Sequence, residues 1–163
     1  MADVRDIRID RSVANIPEEL TDGGERRGGV KLFNTLAEVL VFAAILGKSH
    51  GRKKPIEEAR PNPIRFSIFQ NTNLDSYVFL IAVNETAGYD ILQDENLNDA
   101  IAIFESYAFG GLELISEWIE KSGKGLHEAI LEQMSLIAIQ RTSEEKEKRP
   151  RPKIIQKKSR LLR

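Results

Sequence analysis

FNTLAEVLVFAAILGKSHGRKKP, residues 33–55, is the stretch whose reading decides the fold. From Leu36 to Leu46 Glu38 is the one charged residue, so a helix here is apolar on nearly every side and belongs in a core. Thr35 and Glu38 have the spacing of a capping box, in which each side chain satisfies a backbone N–H of the first turn. Gly47 is the expected helix-ending residue. Lys48, His50, Arg52, Lys53 and Lys54 follow, and Pro55 closes the run. A buried helix thus presents cations at one end, an arrangement suited to holding an anionic backbone. The plainer reading of the same run is a solvated turn.

Working outward, residues 1–29 read as an irregular, flexible arm with many charges and little to bury, and the core is expected to begin near Val30. Ile7 and Ile9 alternate with charges and signal at most a short edge strand. Downstream, Glu57 to Pro63 holds two prolines and should be extended or turn-like. Ile64, Phe66 and Ile68 fit a short strand or a single helical turn. A second buried helix is expected over Leu74–Ala87, capped by Thr72 or Asn73, carrying the apolar run Val78 to Val83 and ending at Gly88.

The longest helix should run from about Leu97 to Lys121, started by Asn96 and Asp99. Leu97, Ile101, Phe104, Tyr107, Ala108, Ile115, Trp118 and Ile119 recur there mostly at helical steps. Gly110-Gly111 interrupts it, and each glycine costs about 1 kcal/mol against alanine, so the pair marks a kink or a close helix contact. Phe42 and Trp118 are expected in one core. A last helix, Leu126 to Arg141, places Ile130, Leu131, Met134, Ile137 and Ala138 on one side. The expected architecture is all-α: a compact bundle of four to five helices over residues 30–141, with a basic tail over 142–163.

Composition narrows the function classes. The chain of 163 residues is 41% hydrophobic and 30% charged, as an ordinary globular protein is. It has no run of about 18 apolar residues that would mark a membrane span, and no apolar leader; a cytoplasmic protein is expected. Without cysteine there is no disulfide, thiol nucleophile or thiolate metal site. The net charge of −1 hides an asymmetry. Lys146, Lys148, Arg149, Arg151, Lys153, Lys157, Lys158, Arg160 and Arg163 face only Glu147, leaving 15 bases and 24 acids in the remainder. An acidic body with a basic tail suits a polyanion or an acidic protein surface; a solubilising tail is the plainer reading. Ile154 and Ile155 lie seven residues ahead of Leu161 and Leu162, a spacing that fits a short basic amphipathic helix on a partner.

Catalytic signatures fail when tested. Gly47-Lys48-Ser49 imitates the end of a P-loop, but Phe42 stands where the first glycine belongs, and the run ends a helix rather than starting one. Gly24 and Gly29 are followed by Val30, which displaces Lys31. His127-Glu128 lacks the second histidine of a zinc-protease helix, because Leu131 stands there. Asp90, Asp94, Glu95 and Asp99 would suit magnesium-dependent phosphodiester chemistry, yet helix caps and a solvated face explain them more simply. No cofactor or metal is expected, and no catalysis.

The blocks FNTLAEVLVFAAILGKSHGRKKPI, PIRFSIF, DSYVFLIAVNETAGYDIL and the helix from Ala100 to Trp118 resemble the dnd system-associated proteins, most closely the fourth group. In that family an apolar helix containing A-A-x-L-G leads into a G-R-[KR]-x-P turn, and Ala43, Ala44, Leu46, Gly47, Gly51, Arg52, Lys53 and Pro55 fill those places here. The arm and the tail fall outside the resemblance. It implies a prokaryotic setting in which sulphur replaces a non-bridging phosphate oxygen of DNA, with linked restriction of unmodified DNA in antiviral defence. The function expected is a non-catalytic accessory protein that binds the DNA backbone, a defence subunit or both. Lys48, His50, Arg52, Lys53, Lys54 and the tail cations are the candidate contacts. Other defence proteins are the expected partners, and a homo-oligomer is compatible with the sequence. The alternatives are a pure protein–protein adaptor and, third, a metal-dependent nuclease.

Overall fold

The computed structural model describes residues 3–26 and 31–148. It divides into a body, residues 1–130, and a second unit, residues 131–163. Six α-helices occur among the described residues: α1 (Asn15–Arg26), α2 (Leu36–Ser49), α3 (Phe66–Asn71), α4 (Asp75–Thr86), α5 (Leu97–Ser122) and α6 (Leu126–Lys148). The protein is all-α, as the capped apolar segments predict; among the described residues extended pairing is limited to two isolated antiparallel bridges, Ile7 with Ile64 and Asp10 with Ala59.

Helix α2 starts as its sequence dictates. Thr35 Oγ1 accepts from the Glu38 N–H at 3.2 Å, and the Glu38 carboxylate reaches back to the Asn34 N–H at 2.7 Å. That is a capping box shifted by one residue on its return arm. Gly47 does not end the helix. The chain continues to Ser49 and stops at Gly51, whose φ of 64° only glycine takes without cost. The Arg52 N–H bonds the Gly47 carbonyl at 2.8 Å and the Gly51 N–H bonds Lys48 at 3.2 Å, which is a Schellman cap. Gly47 instead faces α5, where an added Cβ would lie 2.1 Å from the Tyr107 carbonyl oxygen.

Gly110 and Gly111 do not break α5. An added Cβ on Gly111 would lie 1.8 Å from the Ala43 carbonyl oxygen, so α2 and α5 meet backbone to backbone. Around this seam Leu40, Phe69, Ile101, Phe104, Leu112 and Ile115 are fully buried, and Phe69 meets Phe104 edge-on at 5.8 Å. Trp118 is buried as expected, but Phe42 is only half-buried and lies against Phe33 at 5.3 Å, outside the centre.

The N-terminal arm requires the largest correction. Rather than starting near Val30, the core includes Ile7, Ile9, Val13, Ile16 and Leu20, and Asn15–Arg26 is helical. The alternation of Ile7 and Ile9 is a genuine strand-like segment: Ile7 and Ile64 exchange two 2.8 Å backbone bonds, and the Arg60 N–H bonds Ile9 at 2.9 Å. The Phe66 region takes the helical alternative, with Ile64 left as the bridge residue.

Helix α4 is one-sided. Val78, Ile81 and Ala82 are buried, but Leu80 is 64% exposed. No side chain caps it, and Ala87, at φ 53°, takes the left-handed terminal place expected of Gly88. In α6, Leu126, Ala129 and Ile130 belong to the body's core. From Leu131 the chain belongs to the second unit, where the helix runs on to Lys148 instead of ending at Arg141, and Leu131, Leu136 and Ile139 are exposed. The tail from residue 149 lies outside the described residues, as does Val30. No helix among the described residues is long and apolar enough to cross a membrane.

Candidate functional site

The basic run leaves α2 at Gly51 and crosses α5 in close contact. The Lys54 N–H bonds the Ser106 carbonyl at 3.0 Å. The Arg52 carbonyl rests where a Cβ on Gly110 would be, 2.1 Å from it. The close helix contact expected of the glycine pair is met by Gly111 against α2, whereas the partner of Gly110 is the loop itself.

Held this way, the loop cations meet carboxylates. Lys48 and Lys53 reach the two oxygens of Glu85 at 2.6 and 2.8 Å. Arg52 grips Glu117 with both terminal nitrogens, at 3.0 and 2.9 Å, the bidentate geometry a guanidinium favours. Lys54 pairs with Glu113 and lies 4.8 Å from the centre of the Phe109 ring. Tyr107 donates its hydroxyl proton to Glu85, and Lys48 sits 4.7 Å over its ring. His50 Nδ1 lies 3.0 Å from the Leu46 carbonyl, to which only a protonated Nδ1 can donate. Its ring stands edge-on to Trp118.

The electrostatic result is a nearly neutral patch. Hydrogen bonds from Lys48, Lys53 and Tyr107, in that order, hold the Glu85 carboxyl down to about 2, against an ordinary value of 4.5. The hydrogen bond to Glu85 raises Lys48, and that to Glu113 raises Lys54. A carboxylate with a depressed value stabilises the fold above its unfolded value and loses that contribution as pH falls through the folded one. Glu85→Gln should therefore melt below the parent at pH 7, and the gap should close between pH 4.5 and about 2. A gap that stays constant over this range would contradict the pairing.

Of the tail cations, Lys146 and Lys148 lie exposed at the end of α6. Arg149, Arg151, Lys153, Lys157, Lys158, Arg160 and Arg163 lie outside the described residues. Among the described residues no group of three His, Asp or Glu side chains converges as a metal site; Asp90, Asp94, Glu95 and Asp99 line short turns and the start of α5.

Sequence reasoning missed the acids. Gly110, Glu113 and Glu117 stand at i, i+3 and i+7, so one face of α5 offers a gap for a loop backbone and two carboxylates for its cations. Glu105 was also missed. It is 2% exposed and accepts from the Arg8 N–H at 2.7 Å and from the Arg5 and Arg8 guanidinium groups at 2.9 and 3.0 Å. Its position on the apolar face, beside Ile101, Ala108 and Leu112, is the signal of a paired buried charge.

No curated protein and no solved structure matches the chain. A family model does, over residues 6–152, so the match takes in the arm and the first tail residues as well as the blocks from Phe33 to Trp118. The chain belongs to the family described as DNA sulphur modification system-associated protein 4.

Proposed function

We propose that the protein is a non-catalytic accessory component of a DNA sulphur modification system, attached to the DNA backbone by its basic tail and holding a protein subunit of the system by its helical body. The observation that carries this reading is the partition of charge. Lys48, Arg52, Lys53 and Lys54 are already matched by Glu85, Glu113 and Glu117, so phosphate would have to displace built-in carboxylates from the loop. From Lys146 onward nine cations face one acid. The tail is therefore the stronger source of phosphate contacts, and the loop fixes α2 on α5.

Salt-dependent retardation of a random duplex by the full chain tests this. Affinity should fall by about 0.9 log units per log unit of salt for each phosphate neutralised. Reversing Arg149, Arg151 and Lys153 to glutamate should weaken binding to every duplex alike, because backbone contacts carry no sequence information. Reversing Lys53 and Lys54 should lower the melting temperature more than the affinity. Equal losses from loop and tail would return the loop to the DNA-facing role. No retardation even at low salt would leave the pure adaptor.

A further inference from the structure

Helix α4 carries two apolar stripes. Val78, Ile81 and Ala82 face the body's core, while Phe79, Leu80 and Val83, with Ser76, form an i, i+3, i+4, i+7 series on the other side. That second stripe and Leu92 line an open groove of about 520 Å³. Leu80 and Leu92 are 64% and 45% exposed and line the same groove, so they are not apolar side chains scattered singly over the surface. The lining itself holds no charge, but the turn that supplies Leu92 is acidic. Leu92 lies in the short turn Asp90–Leu92, followed at once by the turn Asp94–Asn96, so Asp90, Asp94 and Glu95 stand within three residues of it. All three are exposed, and none forms an ion pair with another described residue. Glu85, at the far end of the same helix, is by contrast held by two lysines.

The geometry points to a docking groove for a cationic amphipathic helix of a separate protein. The occupant would lay leucine-like side chains at helical spacing against Phe79, Leu80, Val83 and Leu92 and set its lysines or arginines over Asp90, Asp94 and Glu95. Recognition of this kind takes affinity from the apolar anchors and register from the charges. The inference rests on reading the body as a protein-holding element, and it names the surface and the chemistry of what is held.

The test uses the full chain and a fluorescent leucine–lysine peptide of about four helical turns. Two controls have the same length: one with the leucines rearranged to alternate, one with glutamate in place of lysine. The helical leucine–lysine peptide should bind at least about tenfold more tightly than either control. Leu80→Glu and, independently, Leu92→Glu should abolish that preference without lowering the melting temperature, since both side chains are exposed. Asp94→Lys with Glu95→Lys should weaken the lysine peptide and strengthen the glutamate one. Equal binding of all three peptides, or binding unchanged by Leu80→Glu, would overturn the proposal. So would a wild-type dimer that Leu80→Glu makes monomeric, for the groove would then belong to a second copy. Loss of duplex retardation with peptide binding intact would instead count against the DNA reading alone.

Discussion

Gly111→Ala is expected to cost at least about 3 kcal/mol of folding stability, the upper part of the range for overpacked cores. Helix propensity alone predicts the opposite sign, because alanine is favoured over glycine inside a helix by about 1 kcal/mol. Packing should win here because the obstacle is backbone. The new methyl would lie 1.8 Å from the Ala43 carbonyl oxygen, and α2 cannot yield without losing the seam that buries Leu40, Ile101 and Leu112. Gly125→Ala is the control, with nothing within 4 Å of its added Cβ, and should be neutral or stabilising. Urea denaturation of the two variants checks this. Similar midpoints for both would mean that α2 and α5 are not in backbone contact.

How far the fold was legible follows from which signals are local. The α2 start could be read because Thr35 and Glu38 act within one turn. The span of α5 could be read because its apolar period extends over many residues. Helix ends were read less well, since several glycines compete for them. Gly47, the first glycine after the apolar run, has the sequence position of a cap, but it is needed for close approach to Tyr107, and the left-handed position falls to Gly51. The apolar run Val78 to Val83 promises a buried helix, although in α4 only Val78, Ile81 and Ala82 are buried. Hydrophobicity tells that a face needs covering, not whether the cover comes from the same chain.

The basic loop shows the same limit in charge. Its cations are visible as a cluster because they are nearly contiguous, whereas their partners Glu85, Glu113 and Glu117 are 32 to 65 residues away and the pairing depends on the fold. A run of like charge in a sequence is therefore a weak sign of a free electrostatic surface until its counter-charges are located. The arm meets a related limit. Charges at Arg5, Asp6, Arg8 and Asp10 make it read as solvated, yet several of them are answered within the fold. Asp10 is 5% exposed. Burial acts to raise its carboxyl, and hydrogen bonds from Ser12 and from the Glu58 and Glu57 N–H groups outweigh this and lower it.

Glu105→Ala is the second large effect, expected at about 3 kcal/mol, the lower end for breaking a buried ion pair. The carboxylate is enclosed while Arg5 and Arg8 keep 30% and 41% of their side chains exposed, so these cations can rehydrate and temper the loss. What cannot rehydrate cheaply is the Arg8 N–H, which donates to Glu105 at 2.7 Å between the buried Ile7 and Ile9. The arm should accordingly loosen before the rest of the body does. Trypsin should cut after Arg5 and Arg8 in Glu105→Ala at a protease level that leaves the parent whole, while helical content changes little. Glu105→Gln keeps an acceptor for the Arg8 N–H and should lose less than the alanine variant. A double-mutant cycle with Arg8→Met isolates the ion pair from that backbone bond. If Glu105→Ala stays within about 0.5 kcal/mol of the parent, as surface substitutions do, the carboxylate does not hold the arm, and the burial of Ile7 and Ile9 must suffice to fix it.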